Sequence, residues 1–199
     1  MLGLKALLLT MAGDWRSAQA LLPVMNQFEA PTLPDWCGGQ RLRAQVWIEL
    51  AQGEFEAALA VSRQWRALML SAKGEIRSLI ESESDLSRCL YLPARHDECI
   101  ALAREVMARE GSASLSRLPQ VALHLMVAQA ASGRLDDARQ TLVEAFPAWR
   151  RNGVFAASAA LAVVLAELGA TADAARVGAA AVAYLRSAPT SCGTRRFNT

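Results

Sequence analysis

The chain reads as an all-α array of about five antiparallel helix pairs, and three observations predict it. First, a short phrase recurs: Gly13-Asp14-Trp15-Arg16-Ser17-Ala18, Gly53-Glu54-Phe55-Glu56-Ala57-Ala58 and Gly133-Arg134-Leu135-Asp136-Asp137-Ala138. Weaker copies are Ala94-Arg95-His96-Asp97-Glu98-Cys99 and Gly169-Ala170-Thr171-Ala172-Asp173-Ala174. Second, successive copies start 40, 41, 39 and 36 residues apart, a period that marks a stacked repeat. Third, alanine and leucine dominate the stretches between copies and runs of β-branched residues are nearly absent, which favours helix over sheet.

Each phrase is predicted to be the turn of an αα-hairpin. Glycine ends the first helix because it enters the left-handed region without a Cβ penalty. Acidic residues after it suit the positive end of the next helix dipole. The bulky residue (Trp15, Phe55, Leu135) is expected to wedge into the corner. The small residue that closes the phrase lets the second helix approach the first.

The elements follow in order. The first pair spans 2–28, as Leu2–Ala12 and Trp15–Phe28, with Pro23 expected to kink or restart its second helix. Residues 29–39 hold two prolines and the Gly38-Gly39 pair and are expected to form a loop. The second pair spans 40–71, as Gln40–Gln52 and Glu54–Ser71, with Leu42, Val46 and Leu50 as an apolar stripe. The third spans 75–109: Ile76, Leu79, Ile80, Leu86 and Leu90 point inward, and Pro93 ends the first helix. A short linker, Gly111-Ser112-Ala113-Ser114, leads to the fourth pair at 116–151. The fifth spans 154–187. Residues 1–187 thus form one repeat domain, and 188–199 have the composition of a disordered tail.

The turn phrase resembles that of the tetratricopeptide-type (TPR) repeat, in which Gly-(Asp/Asn)-(Tyr/Phe)-x-(Glu/Asp)-Ala joins the two helices. The match is best at Gly13, Gly53 and Gly133. It implies an α-solenoid, a right-handed superhelix whose first helices line a concave groove. The period exceeds the usual ~34 residues of that repeat. Longer repeats of this kind, with runs such as "RLRAQVWIELAQGEFEAALAVSRQWR" and "DAARVGAAAVAYLR", are similar to the C-terminal sensor arrays of large bacterial ATP-binding transcriptional regulators of the maltose-activator type. That resemblance implies a cytoplasmic sensor of transcriptional regulation, with its ATPase on a separate domain.

Catalytic chemistry finds little support. There is no GxSxG elbow and no GxxxxGK(S/T) phosphate loop, both of which place reactive groups at a strand-to-helix turn. His96-x-x-Cys99 is half of a zinc site, which wants close ligand pairs and typically four ligands. The four cysteines, Cys37, Cys89, Cys99 and Cys192, have no paired spacing and read as reduced thiols. No enzyme activity, cofactor or metal is expected. Net charge is +2 with both signs interleaved, so direct nucleic-acid binding is not expected. No stretch reaches the roughly 20 apolar residues of a membrane span.

What remains is a binding surface for a protein or peptide partner, or for a small effector. Arg41, Gln45 and Glu49 share one helix face by spacing. So do Glu81, Asp85 and Arg88, and so do Arg117, Gln120 and His124. These stripes either line the groove or are ordinary solvated faces. His124 would titrate near neutral pH if it is accessible. The fifth pair opens with "VFAASAALAVVLAEL", apolar nearly all round, and neither end of the array carries the polar cap that solenoids need. Either the array continues, or an end packs on another domain or subunit, with a homodimer through the fifth pair as one form. A free-standing dimerising scaffold or chaperone-like adaptor is the alternative to the regulator's sensor.

Overall fold

The computed structural model describes residues 2–27, 35–71, 76–110, 118–152, 162, 165–166 and 169–187. Described helices are α1 (Leu2–Met11), α2 (Trp15–Gln19), α3 (Leu22–Gln27), α4 (Asp35–Gln52) and α5 (Phe55–Ser71). They continue with α6 (Ile76–Tyr91), α7 (His96–Glu110), α8 (Pro119–Ala131), α9 (Leu135–Asn152) and α10 (Thr171–Ser187). Among the described residues there is no strand. Residues 162, 165 and 166, in the expected first helix of the fifth pair, are also helical. The rest of that helix, the 111–114 linker, Arg117 and the 188–199 tail lie outside the described residues.

The recurrent phrase builds the same turn five times. Gly13, Gly53, Gly133 and Gly169 have φ of +84°, +81°, +74° and +76°, and Ala94, where the phrase lacks glycine, has +59°. At each, the left-handed residue donates its N–H to the carbonyl three residues back, as Gly53 does to Leu50 at 3.1 Å. The following residue donates to the carbonyl five back, as Glu54 does to Glu49 at 2.9 Å and Arg95 to Leu90 at 2.9 Å. This is the Schellman pattern, which satisfies the last carbonyls of the first helix. The carbonyl of that following residue then accepts from the small residue of the phrase and starts the second helix, as Glu54 does from Ala58 at 2.9 Å.

The small residue is the one the turn buries. Ala18, Ala58, Cys99 and Ala138 are fully enclosed. Of the residues expected to wedge into the corner, Trp15 is half-buried, and Phe55 and Leu135 keep 38% and 37% of their surface exposed. They occupy the first residue of the second helix, on the same side as the small residue three places on but a turn nearer the open corner.

First helices stand side by side, α1 on α4, α4 on α6 and α6 on α8. The second helix of each pair also packs on the first helix of the next: α2 and α3 on α4, α5 on α6, α7 on α8. A first helix is therefore enclosed on several sides. In α4 the buried residues are Leu42, Ala44, Val46 and Ile48, wider than the expected stripe because α1 covers one flank and α6 the other. In α8 every residue from Val121 to Gln129 is buried. Pro23 has the expected effect, with the second helix of the first pair broken into α2 and α3.

The expected loop at 29–39 needs correction. α4 begins at Asp35, so 35–39 are helical. Gly39 sits against α5: a Cβ there would lie 2.9 Å from the Trp65 indole nitrogen and 3.1 Å from the Met69 methyl. The glycine costs about 1 kcal/mol of helix propensity. It is retained because it lets fully buried Trp65 lie directly under the helix backbone.

The turns give a paired test. A Cβ at Gly133 would meet nothing within 4 Å, so Gly133→Ala costs backbone conformation alone, about 1–2 kcal/mol for the left-handed region. Ala94→Gly removes that cost but adds unfolded-state freedom, for a net gain of up to about 1 kcal/mol. Thermal unfolding should show the first variant lowered and the second raised, each by a few degrees. Two shifts of the same sign would refute the account of the turn.

Candidate functional site

Polar side chains collect where the first helices meet. α6 supplies an unusual number because its sequence, "IRSLIESESDLSRCLY", mixes acids with serines. Serine is small, and its hydroxyl can return a hydrogen bond to its own helix. Ser82 donates to the Leu79 carbonyl at 2.7 Å and Ser84 to Ile80 at 2.9 Å. The helix can then lie close to its neighbours on two flanks.

On the flank facing α4, Arg43 Nη1 donates to Glu81 Oε2 at 2.6 Å and Trp47 Nε1 donates to Asp85 Oδ2 at 3.0 Å. Arg43 Nε lies 3.4 Å from Asp85 Oδ2 but is not aligned for a hydrogen bond. Arg88 Nη1 donates to Asp85 Oδ1 at 2.9 Å. Its guanidinium carbon lies 4.3 Å from the centre of the Trp47 ring, a cation–π contact. Asp85 is almost wholly enclosed, whereas Arg43, Glu81 and Arg88 each keep part of their side chain in solvent. Burial pushes the Asp85 carboxyl above its ordinary range, against the pull of Arg88 and Arg43 and the Trp47 hydrogen bond.

On the flank facing the second helices, Glu83 is fully buried. It accepts from Arg109 Nη2 at 2.7 Å and from both Arg66 Nε and Nη2 at 3.3 Å. Arg66 also reaches Glu105 at 2.6 Å. Two guanidiniums around one buried carboxylate compensate its desolvation, and this cluster ties α5, α6 and α7 together.

His124 of α8 meets the end of α6. Its Nδ1 lies 2.7 Å from Ser87 Oγ, and its ring stacks on Tyr91 with centroids 5.7 Å apart and planes 15° from parallel. Ser87 Oγ also donates to the Ser84 carbonyl at 2.8 Å, an arrangement that the Nδ1–H tautomer of the neutral ring completes. Burial, with Arg88 second, lowers its pKa to about 3. The expected titration near neutral pH does not occur: the imidazole is a buried neutral group.

The stripes read from sequence thus divide. Arg41 and Gln45 form a pair at 3.3 Å on the part-exposed flank of α4, and Glu49 is also half-buried there. Glu81, Asp85 and Arg88 come together with Arg43 and Trp47. Gln120 is half-buried on α8, and Arg117 lies outside the described residues. Arg43, Trp47, Glu83, Ser87 and Tyr91 were not singled out from sequence. A signal for them existed, because arginines and a tryptophan of the second pair stand one repeat length from the acids of α6: the Arg43–Glu81 and Trp47–Asp85 bonds each span 38 residues.

Among the described residues no group of three His, Cys, Asp or Glu side chains could hold a metal ion. No helix among them is long and apolar enough to cross a membrane. Cys89 and Cys99 are buried free thiols, and burial pushes both pKa values up to about 12. Such thiols stay protonated and are poor nucleophiles. Cys192 lies outside the described residues, as does the side chain of Cys37.

No protein-family model matches the chain, and no curated protein matches it. Among solved structures it is similar to a crystal structure of a Podosopora anserina protein described as a kinesin light chain with nearly identical TPR-like repeats. The TM-score is 0.62 at 17% sequence identity, covering 92% of each chain. At that identity the likeness shows the fold alone, an α-solenoid of TPR-like repeats.

Two measurements check the site. Unfolded His124 takes a proton near pH 6.5, whereas the folded ring resists until about 3. Its contribution to stability is therefore full above pH 6.5 and is lost as pH falls toward 3, at up to about 1.4 kcal/mol per unit. Asp85, with a raised pKa, acts in the opposite sense, so the variant comparison isolates the histidine. Urea unfolding of His124→Gln should show a flatter acid limb than the parent between pH 6.5 and 4.5. Iodoacetamide at mildly alkaline pH should leave Cys89 and Cys99 unmodified in the native protein and alkylate both in denaturant. Rapid native labelling would contradict their burial.

Proposed function

We propose that the chain is a non-enzymatic binding module. It takes a peptide or a small effector on the polar flank of its first helices, at Arg41, Gln45, Glu49, Glu81, Arg88 and Gln120. The observation that carries this reading is the state of that flank. Its charged and aromatic groups are half-exposed and already held in place by one another, Arg43 by Glu81 and Arg88 by Asp85 and the Trp47 ring. Binding groups fixed before the ligand arrives lose little entropy on binding. The TPR-like fold supports a protein-interaction role.

The resemblance of the turn phrases and the flanking helices supports a more specific reading. The module would be the sensor part of a bacterial, cytoplasmic regulator of transcription, signalling occupancy to other domains. Asp85 and Glu83 act in it as structure, since each is enclosed by its own arginines. The alternative, a self-associating scaffold or chaperone-like adaptor, is favoured by one observation, the exposed apolar face of α1.

A peptide selected against the full chain from a displayed random library tests the flank. Arg41→Glu combined with Gln45→Ala should weaken its binding about tenfold or more, with an unchanged melting temperature because both residues are half-exposed. If no enriched peptide is weakened by these changes, the flank is an ordinary solvated face.

A further inference from the structure

We propose that a second copy of this chain docks head to tail on the exposed face of α1, seating Leu4 and Leu8 against Ala162 and Ala166 of the partner copy. The argument rests on repeat register. Aligning the five turn residues, Gly13, Gly53, Ala94, Gly133 and Gly169, makes Leu4 equivalent to Ala44, Asp85 and His124. It makes Leu8 equivalent to Ile48, Cys89 and Ala128.

In every later described pair those two positions are covered by the pair before. Ala44 and Ile48 pack with Ala6 and Ala18. Asp85 receives Trp47 and Arg43. His124 sits on Ser87 and Tyr91. The exposures follow: 1% and 1% for Ala44 and Ile48, 2% and 0% for Asp85 and Cys89, 8% and 0% for His124 and Ala128. Leu4 and Leu8 hold the same positions at 53% and 56%. Two large apolar side chains thus stand in solvent at a place that the second, third and fourth pairs enclose. An array of this kind is stabilised only by nearest-neighbour faces.

The same register identifies the complementary surface. The residues that enclose His124 are Ser87 and Tyr91, and their equivalents in the fifth pair are Ala162 and Ala166. Both are small and uncharged. Ala166 is exposed and Ala162 half-buried, with Gly178 beside it at a would-be Cβ distance of 3.7 Å. The exposed face of α1 presents bulky residues, and the described residues 162 and 166 of the fifth pair are small ones. Bulky side chains entering a small-residue face keep packing density without strain. Lys5, exposed next to Leu4, can keep its ammonium in water at the rim of the contact. A head-to-tail contact is heterologous, so one copy uses a different surface from its partner.

Sedimentation velocity over a concentration series tests this on the full chain. The parent should pass from monomer to larger species as concentration rises. Leu8→Glu breaks only the head and Ala166→Arg only the tail. Both residues are exposed in the monomer, so circular dichroism and the melting temperature should stay at the parent's values, and each variant alone should remain monomeric. Mixing the two variants leaves one intact head and one intact tail, and should give a single dimer with no larger species. A parent that is monomeric at every concentration overturns the proposal, as does association that survives both substitutions. A mixture that stays monomeric would also overturn it, by showing that any self-association uses the α1 face symmetrically.

Discussion

Five left-handed residues set the geometry from which the rest of the molecule follows. Each donates to the carbonyl three residues back while its successor donates to the carbonyl five back. The first helix is thereby closed and the second is launched within two residues. The successor's carbonyl is then taken by the small residue of the phrase, which fixes that residue against the first helix. A Cβ-sized group is what fits there: Ala18, Ala58, Cys99 and Ala138 have no exposed surface. Because the backbone turn is the same each time, the second helix of each of the first three pairs meets the first helix of the next. Stacking is thus a consequence of a local backbone event, repeated.

The third pair departs from this pattern at both levels. Its turn uses Ala94, strained at positive φ, and its first helix carries acids into two interfaces. Buried ion pairs are weak evidence for stability, since desolvation offsets much of the attraction. Their clearer effect is on register. Glu83 is satisfied only if Arg66 of α5 and Arg109 of α7 arrive together, and Asp85, paired within α6 by Arg88, completes its bonds only if Trp47 of α4 arrives. A slip of α6 by one turn would strand the buried Glu83 carboxylate, at several kcal/mol, and would cost Asp85 its Trp47 hydrogen bond. Leucine-against-alanine stacks elsewhere tolerate such slips more readily. The charges make the middle of the array the part with a single allowed packing. At the rim, Arg95 reaches Glu56 and Arg134 reaches Asp97, each from one pair to the pair before. These exposed pairs contribute little energy.

The turns were legible in the sequence because glycine, period and small residue each have one physical meaning at that place. The side-chain environment was less so. Phe55 and Leu135 are large and apolar, yet their position at the start of the second helix puts them outside. Gly38 and Gly39 look like a loop signal, yet Gly39 is a helical residue that makes room for Trp65. Polar residues on a helix are the hardest to place, since spacing shows which ones share a face but not what the face meets. Asp85 and His124 were read as groove-lining and are enclosed. What distinguishes them is the partner one repeat away: an arginine or tryptophan for the acid, a serine and a tyrosine for the imidazole. Arg41, Gln45 and Glu49 are only half-buried.

The flank and the ends of the array therefore do different things. At the ends, apolar side chains gain by being covered, and the cover that fits is another helix pair. On the flank, the charges already have partners within the chain. A ligand that uses Arg43 or Arg88 competes with Glu81 and Asp85 for them, so it gains less than it would from free arginines. Affinity there is limited by that exchange, while discrimination is sharpened, because a ligand that displaces Glu81 without matching its geometry leaves a half-buried charge unpaired. Such a flank suits reversible recognition, and the rigid α6 beneath it keeps the binding groups from collapsing when the ligand leaves.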